Sequence, residues 1–183
     1  MTAIPVGDEL RTALLACLAV PRWADAVTGQ APFDSTEALI EVAAREATPL
    51  NRSEIDEALA EHPRIGEKPT GSSQAAGFSR TEQASADADD AGLATAIAAG
   101  NRSYEQRFDR VFLIRAAGRS RREILTELER RLTLDDDTEA AIVGSELRDI
   151  ALLRLAVFAR QWQDVSVPEI HSSDSAAPTG DPR

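Results

Sequence analysis

Lysine is almost absent from this chain. Lys68 is the only one in 183 residues, so arginine supplies nearly every positive charge. Against 20 basic residues stand 31 acidic ones, a formal net charge of −11. A phosphate backbone is repelled by such an average field, which argues against nucleic-acid binding. The single cysteine, Cys17, excludes an intramolecular disulfide and any multi-cysteine metal site. Aromatics are only 4% of the residues, so the core must be mostly Leu, Ile, Val and Ala, which favours packed helices over sheets. No apolar run approaches the roughly 18 residues that span a membrane. The opening "MTAIPVGDEL" is acidic where a signal peptide is basic. A cytoplasmic protein with no membrane or nucleic-acid partner is the expectation.

What is present reads as helix after helix. Hydrophobic residues make up 43%, enough for one domain with a substantial core. "DELRTALLACLAV" is amphipathic and runs into Pro21, which predicts its stop there. Trp23 and Val27 mark a short second segment, and Asp34 with Glu37 has capping-box spacing before a third. "SEIDEALAEH" places Ile55 and Leu59 on one face, and Pro63 predicts a helix end near His62. A Pro/Gly/Ser-rich loop, "KPTGSSQAAG", follows, then a helix capped by Ser79. Leu93, Ile97, Tyr104 and Phe108 share a later face, with Gly100 and Asn101 in its intervening turn. "VFLI" is too short to decide between a strand and buried extended chain. Ser120 and Glu123 form a capping box for "REILTELERRL", whose arginines, interleaved with acids, read as a solvated face. The last helix opens at "LDDDTE" and runs to about Trp162. The expectation is an all-α, single-domain bundle of about seven or eight helices over residues 1–163, with a disordered tail at 164–183.

Three features carry candidate chemistry. His62 is one of two histidines, the other being His171 in the tail. A lone histidine is more often structural than catalytic. This one lies at a helix end beside a flexible loop, and an imidazole ordinarily titrates near about 6.5, so it can exchange protons at neutral pH. "SRTEQ", Ser79 to Gln83, reads first as a capping box in which Glu82 bonds back to Ser79. That leaves Gln83 unexplained, and a helix N-terminus also offers free N–H groups to an anion or carbonyl oxygen. Third, stepping along the last helix through Val143, Leu147, Ile150, Arg154, Val157 and Gln161 drops an arginine into the apolar stripe. A guanidinium facing a core needs an anion or several acceptors. The structural reading is a buried partner such as Glu82 or Asp149, or snorkelling to the surface; the functional one is a clamp on the carboxylate or planar ureide of a substrate.

"HPRIG", then Ser-x-x-Glu-Gln, "NRSYEQRFDRVFLI", "GRSRREILTELERRL" and the closing "ELRDIALLRL" together resemble the OHCU decarboxylase family, from about Leu10 to Gln161. OHCU is 2-oxo-4-hydroxy-4-carboxy-5-ureidoimidazoline, the last unstable intermediate of urate breakdown. The resemblance implies an all-α homodimer that needs no metal and no organic cofactor and converts OHCU to (S)-allantoin and CO2. It places His62, Glu82 and Arg154 at the family's catalytic or binding positions. Pro63, the run Ser79, Arg80, Thr81 and Gln83, and the backbone of Phe112, Leu113, Ile114, Arg115 and Ala116 would shape the substrate pocket. The N-terminal third departs most: it has one cysteine where the family often shows two, and lacks a tryptophan near residues 45–50. Two other readings stay open, an enzyme acting on another ureide and a non-catalytic helical adaptor. A hydrolase would show metal ligands or an activated nucleophile, and the sequence has neither a histidine cluster nor a Ser-His-Asp pattern.

Overall fold

A computed structural model describes residues 4–60, 62, 64–66 and 90–164, with the side chains of 163 and 164 left aside. These residues form seven helices and no strand: α1 (Gly7–Cys17), α2 (Pro21–Thr28), α3 (Thr36–Glu46), α4 (Arg52–Ala60), α5 (Ala91–Phe108), α6 (Arg121–Arg131) and α7 (Asp136–Asp164). The all-α bundle expected from composition is what forms. No described helix is long and apolar enough to cross a membrane.

Two expected boundaries change. Pro21 does not stop the first helix; α1 already ends at Cys17, and Pro21 is the first residue of α2. Its missing N–H costs nothing there, because first-turn N–H groups have no intrahelical partner. The cap of α3 is Ser35, whose side chain accepts from Ala38 N–H, rather than Asp34. The Ser120–Glu123 capping box of α6 forms as expected. Helix α4 opens on another reciprocal pair, Asn51 N–H to Glu54 Oε2 at 2.8 Å and Glu54 N–H to Asn51 Oδ1 at 3.0 Å. Burial pushes the Glu54 carboxyl up, but the bonds from Arg22 and from Asn51 N–H outweigh it and hold the group below its ordinary range.

Two hydrophobic clusters organise the bundle. The larger joins α1 to α4 with α7, around Leu14, Trp23, Leu39, Val143 and Leu147. The smaller joins α5 and α6 around Ile97, Tyr104, Phe108, Ile124 and Leu128, and takes in Ile65. Glycine permits close approach in the smaller. A Cβ on Gly100 would sit 2.4 Å from Leu128 Cδ2, so α5 and α6 meet where no side chain fits. In the larger, Ile55 of α4 packs beside Gly144 of α7, 3.6 Å from where a Cβ would be, a distance that alanine would also allow.

Between the clusters runs the segment "VFLIRA", which forms no strand. Val111 and Leu113 pack into the larger core, Phe112, Ile114 and Ala116 into the smaller. That period of two is the signature of extended chain. The segment is the seam of the molecule.

Candidate active site

His62 follows the last turn of α4. Its N–H bonds Leu59 O at 3.0 Å, and its ring Nδ1 lies 2.8 Å from Ala58 O. Both carbonyls belong to the final turn, where helix acceptors lack intrahelical partners. A carbonyl oxygen can only accept, so Nδ1 carries a proton, and in the neutral ring Nε2 holds the lone pair. The ring is half-buried, at the place the proline-terminated helix predicted.

The chain after His62 is tied to α5. Asn101 Nδ2 donates to Ile65 O at 3.0 Å in a buried contact, Ile65 packs in the smaller core, and Arg64 bonds both oxygens of Glu105. Gly66 has φ +85, a conformation that favours glycine.

Arg154 is 3% exposed, as its place in the apolar stripe implied. Its Nη1 donates to Cys17 O at 3.3 Å, an acceptor at the C-terminus of α1. Cations are favoured at that end of a helix dipole. Asp149, one candidate partner, bonds Arg148 instead, at 2.9 and 3.1 Å. The stripe is inward at Val143, Leu147 and Ile150, but past Arg154 it shifts to Leu155, Phe158 and Ala159. Gln161 is exposed, contrary to the expected stepping. Alternating steps of four and three average 3.5 residues and drift from a straight helix of 3.6 per turn.

Phe112, Leu113, Ile114 and Ala116 are buried and Arg115 half-buried. Two side chains grip their backbone. Arg131 Nη1 donates to Leu113 O at 2.7 Å, and Arg115 N–H donates to Glu146 Oε2 at 2.7 Å. Residues two apart in an extended chain present their main-chain groups to the same edge. Ile114 therefore presents its N–H and C=O to the opposite edge, away from both grips.

Arg131 corrects the expectation that the α6 arginines all lie on a solvated face. It is fully buried, with Nε 2.9 and 3.0 Å from the two oxygens of Glu139 and its guanidinium 4.8 Å over the Phe112 ring. Tyr104 hydroxyl also donates to Glu139, which is itself fully buried. Burial, followed by the Glu139 hydrogen bond and charge, raises the Tyr104 phenol above its ordinary range. From the sequence alone Arg131 reads as a surface arginine and Asn101 as a turn residue, and Glu139 and Glu146 receive no role. The one available signal was Glu146, which opens the quoted "ELRDIALLRL".

His62, the Phe112–Ala116 segment and Arg154 are thus all referred to one helix. α4 packs on α7, the segment is bonded to α7 through Glu146, and Arg154 is on α7 itself. Pro63, Ser79, Arg80, Thr81, Glu82 and Gln83 lie outside the described residues, as does the 164–183 tail apart from the backbone of residue 164. Among the described residues no group of three or more His, Cys, Asp or Glu side chains is placed to hold a metal ion.

Residues 7–156 match the family model described as OHCU decarboxylase. No curated protein matches the chain. Among solved structures, a crystal structure of an OHCU decarboxylase in the presence of (S)-allantoin aligns with a TM-score of 0.67 at 24% identity. The alignment covers 80% of this chain and 96% of that one. It supports the same fold.

Proposed function

The chain belongs to the OHCU decarboxylase family, a family of carboxy-lyases of urate degradation, and we propose that His62, Glu82 and Arg154 carry the decarboxylation in it. The substrate bears its carboxylate on a ring carbon next to an imine. As the C–C bond to the carboxylate breaks and CO2 leaves, the electron pair moves into the imine, and a proton is then added to the ring. The substrate is its own electron sink, so the protein's work is to orient the carboxylate, steady developing charge and deliver a proton to one face.

The observation that carries this reading is the bond from His62 Nδ1 to Ala58 O. It leaves Nε2 as the nitrogen that exchanges a proton with the substrate. Glu82 steadies the ring. Arg154, whose Nη1 donates to Cys17 O, offers its planar guanidinium with Gln83 to the oxo or ureido groups. The Ile114 edge of the Phe112–Ala116 segment takes the flat ring, and Pro63 with the Ser79–Gln83 run completes the pocket. One-faced protonation gives (S)-allantoin, whereas protonation from both faces gives both enantiomers. The enzyme acts as a homodimer in the cytoplasm and uses no cofactor. The test is to add the protein to freshly generated OHCU and follow the optical activity of the allantoin. Accelerated decay to the (S)-enantiomer supports the reading. Decay at the spontaneous rate to a racemate refutes it.

A further inference from the structure

Glu146 has no part in the chemistry above, yet its carboxylate sits at the junction of the site. Its Oε2 accepts the N–H of Arg115 at 2.7 Å, and its Oε1 lies 3.8 Å from Arg119 Nη2. The side chain is only 14% exposed, so the backbone bond is largely shielded from competing water. Arg154 follows eight residues later on the same helix, an advance of about 12 Å at 1.5 Å per residue. Arg131 fixes the other grip on the segment, at Leu113 O, but Arg131 belongs to α6 and reaches α7 only through its pair with Glu139. Of the two grips, the Glu146 bond is the direct one, tying the Phe112–Ala116 backbone to the helix that bears Arg154 with no intervening residue.

We propose that Glu146 is a positioning residue for the decarboxylation. By accepting the Arg115 N–H it sets the register between the ring-binding backbone and the Arg154 guanidinium. The inference rests on the reading of the site given above. A rigid α7 turns the placement of one hydrogen bond into the placement of two substrate contacts. Misplacing a bound substrate by about 1 Å can cost on the order of 100-fold in rate. The role needs an acceptor at the right reach, and a negative charge is incidental to it.

The test compares Glu146→Ala, Glu146→Asp and Glu146→Gln in the full chain, measuring kcat, KM, melting temperature and the enantiomeric excess of allantoin with enzyme in excess. Ala removes the acceptor, Asp keeps it but falls short by one methylene, and Gln keeps both acceptor and reach. The expected result is a roughly 10- to 100-fold loss of kcat/KM for Ala and Asp, with reduced enantiomeric excess. Gln should restore kcat/KM to within about threefold. Wild-type kcat/KM and enantiomeric excess in both Ala and Asp, with only the melting temperature lowered, overturn the proposal. So does a Gln variant as impaired as Ala. Should Ala not fold, Asp and Gln decide. His62→Asn, assayed alongside, separates the two levels: an active His62→Asn sinks the reading of the site itself, while an inactive one beside unimpaired Ala and Asp variants sinks only the role of Glu146.

Discussion

The ring of His62 and the carbonyl of Ala58 are joined by a 2.8 Å bond from Nδ1, made by the last turn of α4 to the residue that follows it. A helix end that would otherwise leave an acceptor bare instead fixes the tautomer of the histidine. The stability at stake is small, and under the proposed mechanism the chemistry at stake is large.

Replacing His62 by Asn or Ala should therefore reduce enzymatic decay of OHCU by about 10²- to 10⁴-fold, the usual worth of general acid-base catalysis. Losing one local bond should cost about 1 kcal/mol, leaving helicity unchanged and the melting temperature within a few degrees. Circular dichroism and a rate assay on the same preparation check this. Retained activity with lost stability would make His62 a structural residue.

Arg154→Lys keeps the charge and removes the planar fork. At a site 3% exposed, a lysine cannot reproduce two parallel N–H donors. A fall in kcat/KM of at least about 100-fold is expected, with the far-ultraviolet spectrum unaltered. Near-wild-type kinetics in the lysine variant would assign Arg154 to the core rather than to substrate.

The Arg131–Glu139 pair has both side chains at 0% exposure. Arg131→Met strands the Glu139 carboxylate and should cost about 3–5 kcal/mol in urea unfolding. The double variant Arg131→Met/Glu139→Leu should recover much of that, because no buried charge is left alone. A double variant no better than the single would show that the unpaired Leu113 carbonyl and Tyr104 hydroxyl, and not the stranded charge, set the cost.

Tyr104, the only tyrosine in the chain, is neutral in the fold well past its ordinary range. Its folded pKa is raised, so its contribution to stability is complete below the unfolded value near about 10 and is lost as pH climbs beyond it. Urea midpoints measured through that alkaline window should fall more steeply for the wild type than for Tyr104→Phe. Phenolate absorbance should appear together with unfolding. Coincident pH profiles for the two proteins would contradict the assignment.

Gly100→Ala pits helix propensity against packing. Alanine favours a helix interior by about 1 kcal/mol over glycine. The added methyl, however, would sit 2.4 Å from a Leu128 carbon that is itself fully buried. Overpacking of this kind costs about 1–3 kcal/mol, so a net loss of stability is expected. A raised melting temperature would mean that Leu128 has room to move.

The sequence by itself determined the class of fold and marked the two residues on which the proposed site rests. Few aromatics, aliphatic faces at helical spacing and the Ser120–Glu123 box are local signals, and local signals survive without a partner. So does the Pro63 of the sequence, which predicts a helix end near His62, and α4 ends at Ala60; so does an arginine inside an apolar stripe. What tertiary structure decided was which charges go inside and what holds them. Arg131 sits among surface arginines of the same helix, and only the arrival of Glu139 and Leu113 O from other parts of the chain makes its burial tolerable. "VFLIRA" has no period of its own long enough to read, because its alternation is imposed by two cores that meet across it. Glu146 looks like any helix-surface acid until the N–H of Arg115, 31 residues earlier, is brought to it. A bond between distant residues leaves no mark on the spacing of either, so the framework of this site became legible only when the chain was folded.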